Sequence, residues 1–116
     1  MLSHRNMVRN VQQTVKWQGP AYEEFDYIIA ITALPLYHIF SLQGNCLTVM
    51  SQGGQNVLIT NPRDSKAVIK EIRKCRFHFS TVVNPLFVSL MTTPGFDEHN
   101  FTARPLCVWR GIALHV

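Results

Sequence analysis

The feature that most constrains the fold is a run of apolar residues that does not alternate with polar ones. Tyr27 to Ile31 is such a run, and a strand without alternation is covered on both faces, as in a parallel sheet. Pro35 follows, and Tyr37 to Met50 then form a mostly apolar stretch long enough for a helix. The sequence therefore predicts a buried strand followed by a core helix that is apolar almost all round.

The rest of the chain repeats this alternation of strands and helices with short connections. The first predicted helix begins after a Ser3 cap and ends at Gly19-Pro20, and the other predicted helices are Tyr37–Met50, Ser65–Lys74 and Pro85–Met91. The predicted strands are Tyr27–Thr32, a short buried strand at Val57–Thr60, Phe79–Val83 within a run that starts at Phe77, and Leu106–Val108. Ser is a good helix cap and Pro is favoured in the first turn. The order predicts an α/β fold with a parallel sheet and right-handed crossovers.

His38 lies just past the end of the first predicted strand. Side chains at the carboxyl ends of parallel strands face the ligand crevice in such folds, so this residue is a candidate for binding or catalysis. The same position also fits a histidine that is packed at a buried helix start, hydrogen-bonded and without a chemical role. The pattern alone favours this second interpretation.

Composition limits the classes of function. The chain has 116 residues, enough for one small domain. Charged residues make up 16% of it and the net charge is +4; because the basic residues are not interleaved with aromatic ones, nucleic acid is not an expected partner. We expect Lys66, Lys70 and Lys74 to form a solvated helix face. Three cysteines without metal-like spacing fit a reduced, intracellular protein, and the polar first residues do not resemble a signal peptide.

A membrane span is the alternative interpretation of the central apolar stretch. The 24 residues from Tyr27 to Met50 are mostly apolar, and about 20 suffice to cross a bilayer. Polar or helix-breaking residues interrupt them at Pro35, His38, Gln43, Gly44 and Asn45, and each polar group in lipid would need a partner. A buried strand followed by a buried helix explains the stretch without placing these polar groups in lipid, so no transmembrane span is expected.

The usual motifs for chemistry are missing from the sequence. It contains no Gly-x-Gly-x-x-Gly, no phosphate loop ending in Gly-Lys-Ser/Thr and no Gly-x-Ser-x-Gly elbow. Its five histidines are not spaced as metal ligands, so no metal site is expected. Pattern alone therefore predicts a parallel α/β piece with one candidate histidine and no specific reaction.

Three blocks of the sequence are distinctive when taken together: Leu2-Ser3-His4-Arg5-Asn6-Met7, Thr32-Ala33-Leu34-Pro35-Leu36-Tyr37-His38-Ile39-Phe40 and Gly53-Gly54-Gln55-Asn56-Val57-Leu58-Ile59-Thr60-Asn61-Pro62-Arg63-Asp64. These blocks resemble bacterial long-chain fatty-acid–CoA ligases, which are adenylate-forming enzymes, and Val83-Asn84 with Leu86-Phe87 resembles a fourth block. They come in the family's order and at roughly its spacing. The resemblance implies a partial three-layer parallel sheet, with residues 1–116 as a single incomplete piece of the AMP-binding domain, a slice of the family's large N-terminal domain.

The resemblance also implies a parent reaction and its partners. In the family, fatty acid and ATP give acyl-AMP and pyrophosphate, with Mg²⁺ balancing the phosphate charge, and CoA then displaces AMP. Fatty acid, ATP and CoA are thus the implied partners of the parent enzyme, and no cofactor is expected for the isolated chain. The implied location is the cytoplasm, with contact at the membrane surface as an option.

Four residues match positions of the family's acyl pocket. His38 matches the His of a Pro-Leu-Tyr/Phe-His block that lies beside the acyl-adenylate. Leu42 falls where some relatives gate the fatty-acid tunnel. Val83 and Asn84 match a segment that lines the acyl pocket, and Val82 stands where the family usually has Gly, which would narrow the pocket. The resemblance implies no catalytic residue within this chain.

Parts of the family pattern are absent or altered. The phosphate-binding loop would end just before Met1, whereas the Tyr-Gly-x-Thr-Glu segment, the ribose-binding Asp, the hinge and the C-terminal domain with its catalytic Lys would follow Val116. After Leu-Cys-Val the family has a Gly-rich loop, where this chain has Trp109, Arg110 and Gly111. Large side chains at a close approach that suits glycine suggest a truncated or decaying copy.

These observations leave three hypotheses for function. The first is a fragment of a long-chain fatty-acid–CoA ligase that is inactive on its own. The second is a non-catalytic module that binds an acyl chain or a partner through the same segment. The third is a remnant without function that is unstable alone.

Overall fold

Four parallel strands form one sheet in the computed structural model, which describes residues 1–96 and the backbone of residues 106–109. The strands are β1 at Ile29–Thr32, β2 at Gln55–Leu58, β3 at Phe79–Val82 and β4 at Leu106–Trp109, and their order in the sheet is β2-β1-β3-β4. Thr32 is in register with Leu58 on one side and with Thr81 on the other. The predicted α/β fold with a parallel sheet is therefore confirmed.

Helices connect the strands and precede the first of them. They are α1 at His4–Gln18, α2 at Ile39–Ser41, a π-helix at Leu42–Leu47, α3 at Thr48–Ser51, α4 at Ser65–Lys74 and α5 at Asn84–Met91. Because α2, the π-helix and α3 follow one another without a break, we call residues 39–51 the central helix. Ser3 caps α1 as predicted: its hydroxyl accepts the N–H of Asn6, whose side chain accepts the N–H of Ser3.

The helices cover both faces of the sheet. On one face, Ile31 and Val82 pack against the apolar sides of α4 and α5, contributed by Val68, Ile69, Ile72, Leu86 and Leu90. On the other face, Ala30 and Phe79 pack with Val49 of the central helix, and α1 lies against that helix. The three layers follow from strands that are apolar on both sides. The lysines predicted to form a solvated face of α4 are exposed.

The second strand differs from its prediction in position and burial. It begins at Gln55 rather than Val57, and its two end residues are exposed and its two middle residues half-buried instead of all being buried. The reason is that β2 is an edge strand that begins directly after a tight turn, where Gly53 has a positive φ of 71°. The Gln55 N–H already donates to the Ile28 carbonyl at 2.8 Å, so pairing starts two residues before the apolar run.

The central helix also differs from its prediction. It begins at Ile39 rather than Tyr37, and its fully buried side chains include polar ones at Ser41, Asn45 and Thr48. It is thus a core helix, but the expectation that it is apolar almost all round is wrong, because its side facing the sheet carries the hydrogen-bonded amide of Asn45 as well as the apolar Val49. Among the residues that the structure describes, no helix combines the length and apolar character needed to cross a membrane.

The other boundaries shift by one or two residues. The first strand begins at Ile29 instead of Tyr27, and the third ends at Val82 instead of Val83. The last helix starts at Asn84, so that Pro85 lies within its first turn. The fourth strand includes Trp109 as well as Leu106–Val108.

Candidate functional site at the carboxyl edge of the sheet

The chain leaves two neighbouring strands in opposite directions. From β1 it goes to β2 on one side, and from β3 it goes to β4 on the other, so β1 and β3 are adjacent without being consecutive. In open α/β sheets, ligands bind outside the carboxyl ends of the strands at such a switch point. The segments that follow β1 and β3 carry the predicted site residues His38, Val83 and Asn84. This edge is therefore the candidate site.

A mainly apolar cavity of about 370 Å³ opens at this edge. Its lining comes from the segment after β1, from the start of the β2–α4 connection and from the start of α5, namely Ala33, Leu34, Pro35, Pro62, Arg63, Val83, Pro85, Leu86 and Ser89. The described lining residues include Val83 but neither His38, Leu42 nor Asn84. The cavity lies on the side of the sheet covered by α4 and α5, where Val83 and Leu86 belong to the core.

A larger cavity of about 710 Å³ lies on the opposite side of the sheet. It is bounded by α1, by the first part of the central helix and by β3, including Trp17, Phe40, Gly44, Phe79 and Thr81. The helix residues next to His38 and Leu42 thus face this second space. Of the four residues predicted for the acyl pocket, Val83 lines the smaller cavity, whereas the residues that follow His38 and Leu42 in the sequence line the larger one.

His38 is exposed at the start of the central helix. It occupies the cap position with an extended backbone and makes no side-chain cap hydrogen bond, and its ring lies 5.0 Å from that of Tyr37. The Leu42 N–H donates to its carbonyl at 3.0 Å, which fixes the first turn. The interpretation of His38 as a histidine packed at a buried helix start is wrong, because the residue is exposed.

Leu42, Val83 and Asn84 are half-buried. Leu42 is the first residue of the π-helix, and π-helical turns are frequent at functional sites. Val83 precedes α5 in an extended conformation, and its carbonyl accepts the Phe87 N–H at 3.1 Å. The hydrogen bonds to the carbonyls of His38 and Val83 fix the backbone where the helices after β1 and β3 begin. The side chains at these two positions are therefore attached to an ordered backbone.

A network of buried polar groups ties the central helix to the sheet. The Asn45 side-chain amide donates to the hydroxyls of Thr81 at 2.7 Å and Thr32 at 3.2 Å. The Thr32 hydroxyl in turn donates to the side-chain oxygen of Asn56 at 2.9 Å. We call Asn45, Thr32 and Thr81 the polar clamp. The clamp joins the last residue of β1 and the second-last residue of β3 to the central helix.

A protein-family model described as "AMP-binding enzyme" matches residues 1–111 of the chain. The chain belongs to the AMP-binding enzyme family. It is 43% identical over 112 residues to a long-chain-fatty-acid–CoA ligase of Salmonella typhimurium and 42% identical over 116 residues to one of Haemophilus influenzae, alignments that cover 97% and 98% of this chain. In both cases the chain spans 20% of the relative's length.

The fold of this AMP-binding enzyme chain also matches a solved structure. The crystal structure of a fatty acyl-adenylate ligase from L. pneumophila, in complex with acyl adenylate and pyrophosphate, superimposes with a TM-score of 0.74 at 18% identity. The match covers 94% of this chain and 20% of that one. At this identity the likeness concerns the fold, and it agrees with the α/β arrangement expected from the sequence.

The segment expected in place of the family's Gly-rich loop lies almost wholly outside the described residues. The backbone of Trp109 ends β4, in register with Val82. Arg110 and Gly111 fall outside the described part of the chain. The obstruction expected from Trp109 and Arg110 therefore stays a prediction.

The polar clamp is the part of the site that pattern reasoning missed. Its helix member, Asn45, stood out in the sequence only as an interruption of an apolar stretch. Thr32 and Thr81 sit in strands where β-branched residues are ordinary. A buried amide in an apolar run needs hydrogen-bond partners. The threonines at the ends of neighbouring predicted strands were therefore the residues from which the partners of Asn45 could have been predicted.

His78 and Cys75 have shifted pKa values, and both residues lie away from the candidate site. His78 precedes β3 at the opposite edge of the sheet, where burial lowers its pKa and its Nδ1 accepts the Ile29 N–H at 3.0 Å. At the end of α4, burial and then the Glu71 carboxylate raise the pKa of Cys75. Within residues 1–96, His, Cys, Asp and Glu form no group of three that could hold a metal ion.

Proposed function

We propose that this chain is part of a long-chain fatty-acid–CoA ligase and supplies one wall of its acyl pocket. The observation that carries the proposal is 43% identity over 97% of the chain to the Salmonella typhimurium ligase. The carboxyl edge between β1 and β3 supports it, because this is where open α/β sheets bind ligands. His38, Leu42, Val83 and Asn84 are the residues we assign to that wall.

The reaction of the proposed parent enzyme has two displacements. A carboxylate oxygen of the fatty acid attacks the α-phosphorus of ATP, and pyrophosphate leaves. The thiolate of CoA then attacks the acyl carbonyl, and AMP leaves with the electron pair of the bond that breaks. In this scheme His38 provides a hydrogen-bonding ring beside the reacting carboxyl group, while Leu42 and Val83 provide apolar surface for the acyl chain.

The chain alone should not catalyse either displacement. Adenylation depends on donors and charges positioned around the phosphates, and the sequence contains no Gly-rich phosphate loop and no Tyr-Gly-x-Thr-Glu segment. Mg²⁺ is usually held by one or two carboxylates together with phosphate oxygens, and the described residues that line the smaller cavity include no carboxylate. Because these lining residues do not fit a magnesium–ATP site, no step through the metal is assigned to this chain.

A chimera tests the proposal. The segment of the Salmonella typhimurium ligase that aligns with these residues is replaced by this chain, and formation of acyl-CoA from a long-chain fatty acid is measured. A second version, the repaired chimera, also carries Trp109→Gly and Arg110→Gly. We expect activity in the repaired chimera, with the unaltered ligase as the reference for full activity.

Inactivity of both folded versions would contradict the proposal. Binding of a fatty acid by the chain alone, measured by titration with a fluorescent fatty acid, would then favour the alternative of a non-catalytic acyl-binding module. The mainly apolar cavity of about 370 Å³ is the feature that supports this alternative. Inactive chimeras together with no fatty-acid binding would leave only the remnant without function.

A further inference from the structure

Asn45 is a fully enclosed polar residue of the central helix. Its exposed fraction is 0%, and its amide reaches across to two strands that are neighbours in the sheet. Thr32 and Thr81 are in register with each other, so the amide bridges directly opposite positions. The bridge lies at the carboxyl ends of β1 and β3, beside the switch point where the proposed acyl wall begins.

The central helix is held from its other side as well. The side-chain amide of Gln43 donates to the Met7 carbonyl at 3.0 Å and to the Asn10 side chain at 3.1 Å, both on α1. Side chains two residues apart on a helix do not face each other, so Gln43 and Asn45 hold opposite sides. Hydrogen bonds on opposite sides resist rotation of the helix about its own axis.

Rotation matters because the residues of the proposed wall lie on this helix. Leu42 is three positions before Asn45, within the same π-helix, and His38 caps the helix start. Each residue of an α-helix turns the direction of the side chain by about 100°. A small change in how the π-helix sits on the sheet would therefore move both side chains relative to Val83.

Stability alone does not account for the clamp. The Asn45 side-chain oxygen is buried and has no hydrogen-bond partner among the described residues. Unpaired buried polar atoms destabilise a fold, and replacing both partners of a buried hydrogen bond by apolar groups of similar shape is often nearly neutral. An apolar contact here would hold the helix to the sheet without defining one rotation.

We propose that Asn45 is a positioning residue: through the polar clamp it fixes the rotation of the central helix and thereby sets the acyl-chain selectivity of the ligase. The inference rests on the proposed function, because acyl-chain selectivity is a property of the proposed ligase. Asn45 itself touches neither the acyl chain nor the nucleotide in that ligase and acts through His38 and Leu42.

The test compares two variants of the repaired chimera. One is the double variant Asn45→Leu with Thr81→Val, which replaces the clamp by apolar contact. The other is Thr48→Val, a matched control, because Thr48 is also 0% exposed but its hydroxyl donates to the Gln43 carbonyl at 2.6 Å, within the helix. kcat and KM are measured for medium-chain and long-chain fatty acids, and KM for ATP.

The expected result is a change of selectivity without a general loss. In the double variant, the ratio of kcat/KM between the two chain lengths should change by about tenfold, with KM for ATP within about twofold of the parent value. Thr48→Val should leave that ratio unchanged. Equal loss of kcat/KM for every acyl chain in the double variant, together with a lower melting temperature, would make Asn45 merely structural and overturn the inference.

A second measurement does not depend on ligase activity. The ring resonances of His38 are recorded by NMR in the 116-residue chain and in both variants. The double variant should shift them, whereas Thr48→Val should not. Unchanged His38 resonances in the double variant would contradict the inference even if the chimeras were active, and inactive chimeras with shifted resonances would contradict the proposed function alone.

Discussion

Two glycines, Gly44 within the central helix and Gly54 in the turn after it, differ in what a methyl group at each would meet. A Cβ on Gly54 would lie 2.6 Å from the Ile28 carbonyl oxygen and 2.7 Å from the Val49 side chain. A Cβ on Gly44 would meet nothing nearer than the Phe40 ring at 4.0 Å. Gly54 is therefore required by the close approach of the turn to β1, whereas Gly44 is not required by space.

This difference gives a stability prediction. Gly54→Ala should lower the free energy of unfolding by about 2 kcal/mol or more, because backbone must move to make room. Gly44→Ala, the matched control, should raise it by about 0.5–1 kcal/mol, as expected for alanine in place of glycine in a helix. Urea unfolding of the chain, followed by circular dichroism, measures both. Equal effects of the two substitutions would show that the turn is not tightly packed.

A second prediction concerns His38 in the proposed acyl wall. His38→Ala in the repaired chimera should lower the rate of adenylation by about tenfold or more, which corresponds to about 1.4 kcal/mol of transition-state stabilisation. His4→Ala is the control, because His4 is exposed on α1 and outside that wall. The measurement is fatty-acid-dependent pyrophosphate exchange. Unchanged exchange in His38→Ala would remove the role assigned to the ring.

A third prediction concerns the large residues that stand in place of glycines after β4. Trp109→Gly with Arg110→Gly should lower KM for ATP or for the fatty acid when the repaired chimera is compared with the first version. The reason is that a Cβ is excluded where backbone approaches a ligand closely. Identical KM values in the two chimeras would mean that the loop tolerates bulk, and the argument for a decaying copy would fail.

At the scale of elements, the sheet was predictable and the polar contacts were not. The unalternating run before Thr32 and the turn residues after each strand define β1, β3 and their parallel order. The start of β2 was predicted two residues too late, at Val57 instead of Gln55, because polar residues on an edge strand do not form an apolar pattern. The burial of Asn45 depends on Thr32 and Thr81, which are 13 and 36 residues away along the chain.

The candidate site was predictable to a similar degree. A residue just past a strand end, such as His38, can be assigned to the carboxyl edge from pattern alone. Its exposure could not be predicted, because it depends on the precise residue at which the central helix begins. That Val83 lines the smaller cavity, and the residues after His38 and Leu42 the larger one, likewise could not be predicted, because it depends on which face of the sheet each helix covers.

The pairing of β1 with β3 gives a prediction about pH. The Ile29 N–H donates to Nδ1 of His78, and this bond exists only when Nδ1 is unprotonated. Burial lowers the pKa of His78 in the folded state, whereas the unfolded value is about 6.5. The unfolded chain therefore binds more protons below that pH, so this contribution to stability is present above about pH 6.5 and is lost as the pH falls toward the folded pKa.

The measurement is the free energy of unfolding in urea at several pH values between about 5 and 7.5, a range that brackets the ordinary histidine pKa. His78→Asn retains an acceptor but does not titrate, so its stability should fall less on acidification than that of the parent chain. His4→Asn serves as the control and should keep the parent's pH dependence. Parallel curves for the parent chain and His78→Asn would contradict the prediction.

At the scale of the whole molecule, apolar surface is exposed in both helical layers. Large apolar side chains with high exposure are found on α1, the central helix, the edge strand β2 and α5, including Val8, Trp17, Met50, Leu58, Val88 and Met91. Exposed apolar faces and open strand edges favour association in water. In the proposed ligase, the remaining part of the enzyme would cover these faces, so we expect the chain alone to be only weakly stable.

In our proposal these residues form the acyl wall of a ligase whose phosphate chemistry lies elsewhere in the enzyme. Pyrophosphate exchange with ATP and a long-chain fatty acid, run side by side on the repaired chimera and on the purified 116-residue chain, tests this proposal. We predict exchange by the chimera and none by the chain above a no-protein control. Exchange by the chain alone that is abolished by His38→Ala would contradict the claim and make the chain a minimal enzyme.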